Sequence, residues 1–335
     1  MRYTLCCFHY TRTRRVYSMK FALLTVSYAG LFYAGEPLSV EKQIYRANAL
    51  GFDALSIETK RPVASPLDLS KADRARIKRV AADEGMALCA LESMSNFASR
   101  FMEERENNLA MMRNVLDLAS DLGVNLVKVF AAWPGLVNDE EEVAFYGPYT
   151  RGNYYKRLYP ADLRTWNRAV EGIREVADWA ADLGITLALQ NHAPVLTPGF
   201  EDALAMMQEV DRENVRLCLD APLFYERQHD EYMRMAVEQC GEHIALTHYG
   251  AWNFKETNDG EAVQDAAPSF GGPINYEAFL AALQDIGYDG YWVSEYCVPC
   301  LKHHQVAGIE EVDRANRLAL QYMKALVHRI APVPA

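Results

Sequence analysis

Eight β-rich runs alternate with eight segments of helical spacing along this chain, and that alternation restricts the architecture more than any other feature. The runs are KFALLTVSY (20–28), ALSIE (54–58), MALCALES (86–93), NLVKVFAAW (125–133), ITLALQNH (185–192), VRLCLDA (215–221), IALTHYG (244–250) and GYWVSEYC (290–297). Helical patterns fill the intervals at 39–51, 70–84, 101–122, 163–182, 199–210, 229–240, 275–286 and 308–330. Ser39 is placed to cap the first of them, and Gly51, Gly85, Gly123 and Gly184 close successive ones, since only glycine enters the left-handed conformation cheaply. Strict strand-then-helix order predicts a parallel sheet, and eight units allow it to close into a (β/α)₈ TIM barrel. A doubly wound open sheet is the lesser alternative; no Gly-rich phosphate fingerprint follows the first strand to support it.

The length of 335 residues is compatible with one such barrel over 19–335. Residues 1–18 are basic, lack the apolar core of a secretory signal, and read as a non-native or disordered extension, or as a transit-like arm. After the fourth run the rhythm breaks for some thirty residues, in a long aromatic loop rich in tyrosine (VAFYGPYTRGNYYKRLYP, 143–160). Long structureless loops in compact domains are commonly lids. Tyr149 and Arg151 are therefore candidate substrate contacts, an oligomer contact being the other reading of the loop. A net charge of −11 argues against a nucleic-acid backbone as partner, because that affinity comes from Lys and Arg neutralising phosphates. The seven cysteines are scattered without a disulfide framework, which predicts a cytoplasmic setting, and no run reaches the length of a membrane span. A small polar molecule is the expected substrate.

Four of the last strands stop in a side chain able to bind a metal: Gln190, Asp220, His248 and Glu295. Strand C-termini of a barrel converge on one face, so residues roughly 30 to 50 apart in sequence can meet around one ion. Carboxylate and imidazole donors suit Mn²⁺ best here, with Mg²⁺, Co²⁺ or Zn²⁺ possible. Taken singly, a strand-end Asp is usually a helix cap and a lone His a satisfied interior residue; four in succession are harder to dismiss. Lys128 and Glu92 lie near the ends of strands four and three, as a catalytic lysine and a substrate contact or as a structural ion pair. Trp133 and Trp252 are candidate ring-stacking walls or simple packing. In CVPCLKHH (297–304), Cys297, Cys300, His303 and His304 invite a zinc reading, but zinc sites need paired clusters at set spacing. A cleft-facing role for His303 in substrate binding is preferred.

The order Gln190, Asp220, His248, Glu295 on strands five to eight resembles that of the xylose-isomerase-like barrels, the sugar isomerase and epimerase superfamily. There the fifth strand typically reads like LALENH; here it reads LALQNH. Within the superfamily SYAGLFYAGEPLS, KRPVASPLDLS, LVKVFAAWPG, LALQNHAPV and LTHYGAW look like the catalytic subunits of C-glycoside deglycosidases. That resemblance implies a metal-dependent lyase acting on 3-oxo-glycosides and a smaller β-rich partner subunit in a hetero-oligomer. A ketone at C3 acidifies the C2 hydrogen, so that Glu295 or His192 removes it and the C1 bond breaks by β-elimination. The departing group takes its proton from His192 or a loop tyrosine. One base suffices, which fits Gln190 better than a symmetric two-carboxylate epimerase does. A keto-sugar isomerase or epimerase using the same metal is the alternative, with Glu295 and His192 as unequal bases. A binding or scaffold subunit and a DNA-repair endonuclease are the other readings, opposed by the retained ligands and by the acidic charge.

Overall fold

The computed structural model describes residues 19–137, 143–145, 163–192, 196–265, 273–303 and 305–330. The extension at 1–18, most of the aromatic loop with Tyr149 and Arg151, and His304 lie outside them. Eight strands, β1 (Lys20–Leu24), β2 (Ala54–Glu58), β3 (Ala87–Glu92), β4 (Leu126–Val129), β5 (Thr186–Gln190), β6 (Val215–Asp220), β7 (Ile244–Gly250) and β8 (Tyr291–Glu295), pair in parallel. They form one closed barrel in which β8 returns to β1, so no edge is left unpaired. Eight helices follow the strands: α1 (Val40–Leu50), α2 (Lys71–Asp83), α3 (Met102–Leu122), α4 (Leu163–Asp182), α5 (Phe200–Val210), α6 (Asp230–Cys240), α7 (Tyr276–Asp285) and α8 (Ile309–Ile330). Among the described residues, no helix is long and apolar enough to cross a membrane.

The helices begin and end where their sequence dictates. Ser39 accepts from the Lys42 amide, Ser70 and Asp73 form a reciprocal capping box, and Gly51 and Gly123 close α1 and α3 at φ 87° and 75°. Val40, Ile44 and Ala47 put one stripe of α1 against the barrel, and most of the apolar core lies in this layer between strands and helices.

Several strands are shorter than the β-rich runs, for local reasons. The first run leaves the sheet after Leu24 into a 3₁₀ turn, Thr25–Tyr28, where the Thr25 hydroxyl accepts the Glu58 amide. The fourth stops at Val129 because Ser95 takes over: its Oγ accepts from the Phe130 amide and donates to the Phe130 carbonyl, both at 2.8 Å.

A second, smaller apolar cluster fills the barrel itself, formed mainly of small side chains that include Ala22, Ala54, Ala90, Ala188 and Cys218, with Leu246 and Val293. Because side chains alternate along a strand, the residue two positions further points the same way. Glu92 follows Ala90 in this manner, Gln190 follows Ala188, Asp220 follows Cys218, His248 follows Leu246 and Glu295 follows Val293. The apolar filling of the barrel thus gives way, at the strand C-termini, to a polar group.

Candidate metal centre

Asp220, His248 and Glu295 each offer a ligand atom within 4.8 Å of the others, and theirs is the one such group of His, Cys, Asp or Glu among the described residues. Register aligns them: Asp220 pairs with His248 across β6 and β7, and Glu295 lies opposite Gly250. His248 Nδ1 stands 3.4 Å from Glu295 Oε2. Gln190, at the end of β5, donates from Nε2 to Asp220 Oδ2 at 2.8 Å and lies 3.5 Å from His248 Nδ1. All four residues expected from the sequence are therefore brought together.

The carboxylates of Asp220 and Glu295 crowd around His248, while Lys128 pairs with Glu92 on the far side. Burial, together with the charge of Glu295, raises Asp220 to about 7. Burial would raise Glu295 as well, but its contact with His248 outweighs that and lowers it. Asp220 Oδ1 and Gln190 Oε1 are buried oxygens without a hydrogen-bond partner. Orphaned buried acceptors beside like charges are costly unless something positive meets them. These donors fit a divalent cation: two carboxylates balance its charge, with one imidazole and one neutral amide oxygen completing the set. Asn191 stiffens the arrangement by accepting from the Asp220 amide at 2.8 Å and donating to the Asp220 carbonyl at 3.2 Å, which ties β5 to β6.

Glu92 and Lys128 reach the same region from the opposite side. Their side chains are 1% and 2% exposed and stand 3.5 Å apart, so they meet each other inside the barrel, as the ion-pair reading expects. Glu92 Oε1 accepts from Ser56 Oγ at 2.6 Å and lies 3.2 Å from His248 Nε2. Burial would push Glu92 up, but the charges of His248 and Lys128 outweigh it and hold the carboxyl down at about 2.

His192 is half-buried just beyond β5, fixed by its amide donating to the Thr197 carbonyl at 2.7 Å. Its ring stands edge-on to Trp133, at 4.8 Å between centroids, and to Phe130 at 5.4 Å, while those two rings stack on each other. Phe130 also carries Lys128 Nζ over its face at 3.6 Å. Trp252 instead folds back over Gly250, where any Cβ would approach its ring to 2.5 Å. His303 is exposed in a hairpin turn at φ 53°, Cys300 is buried and bonds by its amide to the Phe32 carbonyl, and Cys297 and Cys300 are free. The described part of CVPCLKHH thus forms no metal cluster.

Ser56, Phe130 and Asn191 were not singled out from the sequence. Ser56 and Phe130 carry no signal of their own, whereas Asn191, wedged between Gln190 and His192, had one.

Comparison with known proteins agrees with this architecture. The chain is 25% identical over 261 residues to D-psicose 3-epimerase of Ruminiclostridium cellulolyticum, covering 75% of this chain and 76% of that one. It is 24% identical over 263 residues to D-psicose 3-epimerase of Agrobacterium fabrum, with 75% and 77% covered. A crystal structure of D-psicose 3-epimerase in the presence of D-fructose superposes with a TM-score of 0.67 at 20% identity, over 92% of this chain and 99% of that one. The apo 3-keto-D-glucoside 4-epimerase of E. coli superposes with a TM-score of 0.64 at 17% identity, over 92% and 100%. The model of the xylose isomerase-like TIM barrel family matches residues 44–324, and the chain belongs to that family.

Proposed function

We propose that this chain is a metal-dependent enzyme that abstracts the proton beside a sugar carbonyl, of the keto-sugar epimerase and isomerase class. The observation that carries this reading is the convergence of Asp220, His248 and Glu295 within 4.8 Å, beside the unpartnered oxygens of Asp220 and Gln190. These residues would hold one divalent ion, Mn²⁺ for preference, and when bound it would supply Lewis acidity toward the oxygens of the substrate. The relatives named above are epimerases of keto sugars, which supports this class over the lyase expected from the narrower resemblance.

The residues divide the work by exposure. Asp220 and His248 are 2% and 1% exposed, whereas the Glu295 side chain is 19% exposed, so Glu295 is the group of the three that opens toward a substrate. It takes the proton from the carbon next to the carbonyl. His192 handles the second proton transfer, its ring held by Phe130 and Trp133. Gln190 replaces the second carboxylate that a symmetric two-base exchange would use. That single substitution favours a second reading, in which the same deprotonation of a 3-oxo-glycoside is followed by loss of the C1 substituent and His192 protonates the leaving group. A smaller β-rich partner subunit belongs to this second reading only.

One experiment separates the two. Protein loaded with Mn²⁺ is incubated in D₂O with a free keto sugar and with a 3-oxo-glycoside, and NMR follows both label and aglycone. Deuterium at an inverted carbon in an otherwise intact sugar is the expected outcome. Aglycone release from the 3-oxo-glycoside alone establishes the lyase, and neither event in metal-replete protein leaves a scaffold.

A further inference from the structure

We infer that Glu92 is a positioning residue that selects which nitrogen of His248 faces the metal. The inference rests on the metal reading above and goes beyond it, because Glu92 touches neither the ion nor substrate in this assignment. His248 is clamped between two carboxylates: Nδ1 lies 3.4 Å from Glu295 Oε2, and Nε2 lies 3.2 Å from Glu92 Oε1. To ligate an ion the His248 ring must give up one of its two protons, and the neutral imidazole then carries one N–H and one lone pair, so only one side of the ring can ligate. With the proton on Nδ1, the lone pair would point away from Asp220 and Glu295 and no nitrogen ligand would remain for the ion. With the proton on Nε2, it faces Glu92, and the Nδ1 lone pair faces the cluster.

The surroundings of the ring favour the second arrangement. Nε2 has no hydrogen-bond partner of full geometry, and the Glu92 oxygen is the carboxylate that stands against it. Glu92 is itself immobilised, through Ser56 Oγ on Oε1 at 2.6 Å and Lys128 Nζ 3.5 Å from Oε2. On the other side Gln190 presents an amide nitrogen 3.5 Å from Nδ1, a donor that meets a lone pair favourably and an N–H unfavourably. A carboxylate behind a ligating histidine is the usual device for fixing ring and tautomer, and losing it typically costs about 10- to 100-fold in metal affinity. Three neighbouring strands, β2, β3 and β4, supply this support through Ser56, Glu92 and Lys128, although the ligands stand on β5 to β8.

The test reads the ring directly. ¹⁵N-histidine protein loaded with Mg²⁺, which is diamagnetic, is examined by long-range ¹H–¹⁵N correlation, the His248 signals being identified by their loss in His248→Gln. The expected result is a proton retained on Nε2. The double variant Glu92→Leu/Lys128→Met removes both buried charges together, avoiding a lone one. It should bind Mn²⁺ about 10- to 100-fold more weakly by EPR of the free ion, with the Nε2 proton signal lost or split. The conservative Glu92→Gln keeps a carbonyl acceptor and should restore most of the affinity. A folded double variant with unchanged affinity and ring signals overturns the inference, as does Cys218→Ala producing the same shift, since that thiol also lies against the ring. Should the double variant fail to fold, the wild-type spectrum still decides, because a proton on Nδ1 refutes the assignment. Wild-type protein that binds no divalent ion refutes the metal reading itself, a different failure.

Discussion

Two sets of buried carboxylates meet at His248, and they differ in how well they are satisfied. Glu92, on the β3 side, has a cation, a hydroxyl and an imidazole around its two oxygens and is held low. Asp220, on the β6 side, has one oxygen on the Gln190 amide and the other without a hydrogen-bond partner, and it is pushed up. Similar burial therefore produces opposite electrostatics. The satisfied side is finished as a folded structure, whereas the unsatisfied side is finished only when a cation arrives, and that contrast marks where function lies.

Removing one carboxylate from each side should expose the difference most strongly. Glu92→Ala leaves Lys128 buried without its partner and should cost about 3–5 kcal/mol of stability in chemical denaturation. Asp220→Asn should cost metal-free protein little or nothing, because it relieves repulsion with Glu295. Its loss appears in metal content, with affinity falling by more than the roughly 10- to 100-fold expected of an outer-shell change. Equal destabilisation by the two substitutions, or full metal content in Asp220→Asn, would erase the distinction.

The unsatisfied side was the legible one. Asp220, His248 and Glu295 each end a β-rich run abruptly, and the barrel rule carries such endings to one face. Glu92 lies near the end of its run and Lys128 inside the fourth run, and the sequence could not separate a substrate contact from an ion pair. That choice depends on the distance between two neighbouring strands and on how far each side chain reaches into the barrel, neither of which a pattern of residue types contains. Ser56 is harder still: in ALSIE it reads as any small strand residue, and only the cross-strand contact with Glu92 gives it a role. Trp133 and Trp252 looked alike in sequence, each following a strand, yet one edges His192 and the other packs on Gly250. The fold itself was read almost entirely from strand and helix alternation, because eight parallel strands have few ways to bury both faces and leave no edge.

His192 belongs to the open side and sharpens the comparison there. It is neither a member of the three-ligand group nor fully buried, so its truncation should spare metal content. His192→Ala is expected to slow turnover by about 10²- to 10⁴-fold, with KM changing much less. Single-turnover rates on Mn²⁺-loaded protein are the measurement. An intact rate would leave Glu295 as the only proton-handling group and would favour a one-base reaction.

The smallest effect, and the most informative about chemistry, concerns Gln190. Its Nε2 already bonds Asp220 Oδ2 while Oε1 stands buried without a hydrogen-bond partner, so a glutamate there would add an anionic oxygen and remove the donor at once. In metal-free Gln190→Glu, three carboxylates would then share one buried space, and stability should fall. Once loaded, the extra negative charge should tighten Mn²⁺ by roughly tenfold, the equivalent of about 1.4 kcal/mol. The same charge weakens the ion as a Lewis acid, so tighter binding should accompany slower proton abstraction from a keto sugar. Yet the new carboxylate would also add a second base to the site beside Asp220 and His248. If the wild-type reaction is limited by the lack of that base, deuterium exchange should instead accelerate, and inversion of the carbon should gain on any loss of the C1 substituent. Calorimetric titration with Mn²⁺ and exchange kinetics in D₂O read the two effects separately, and unchanged affinity would place Gln190 outside the set of groups that touch the ion.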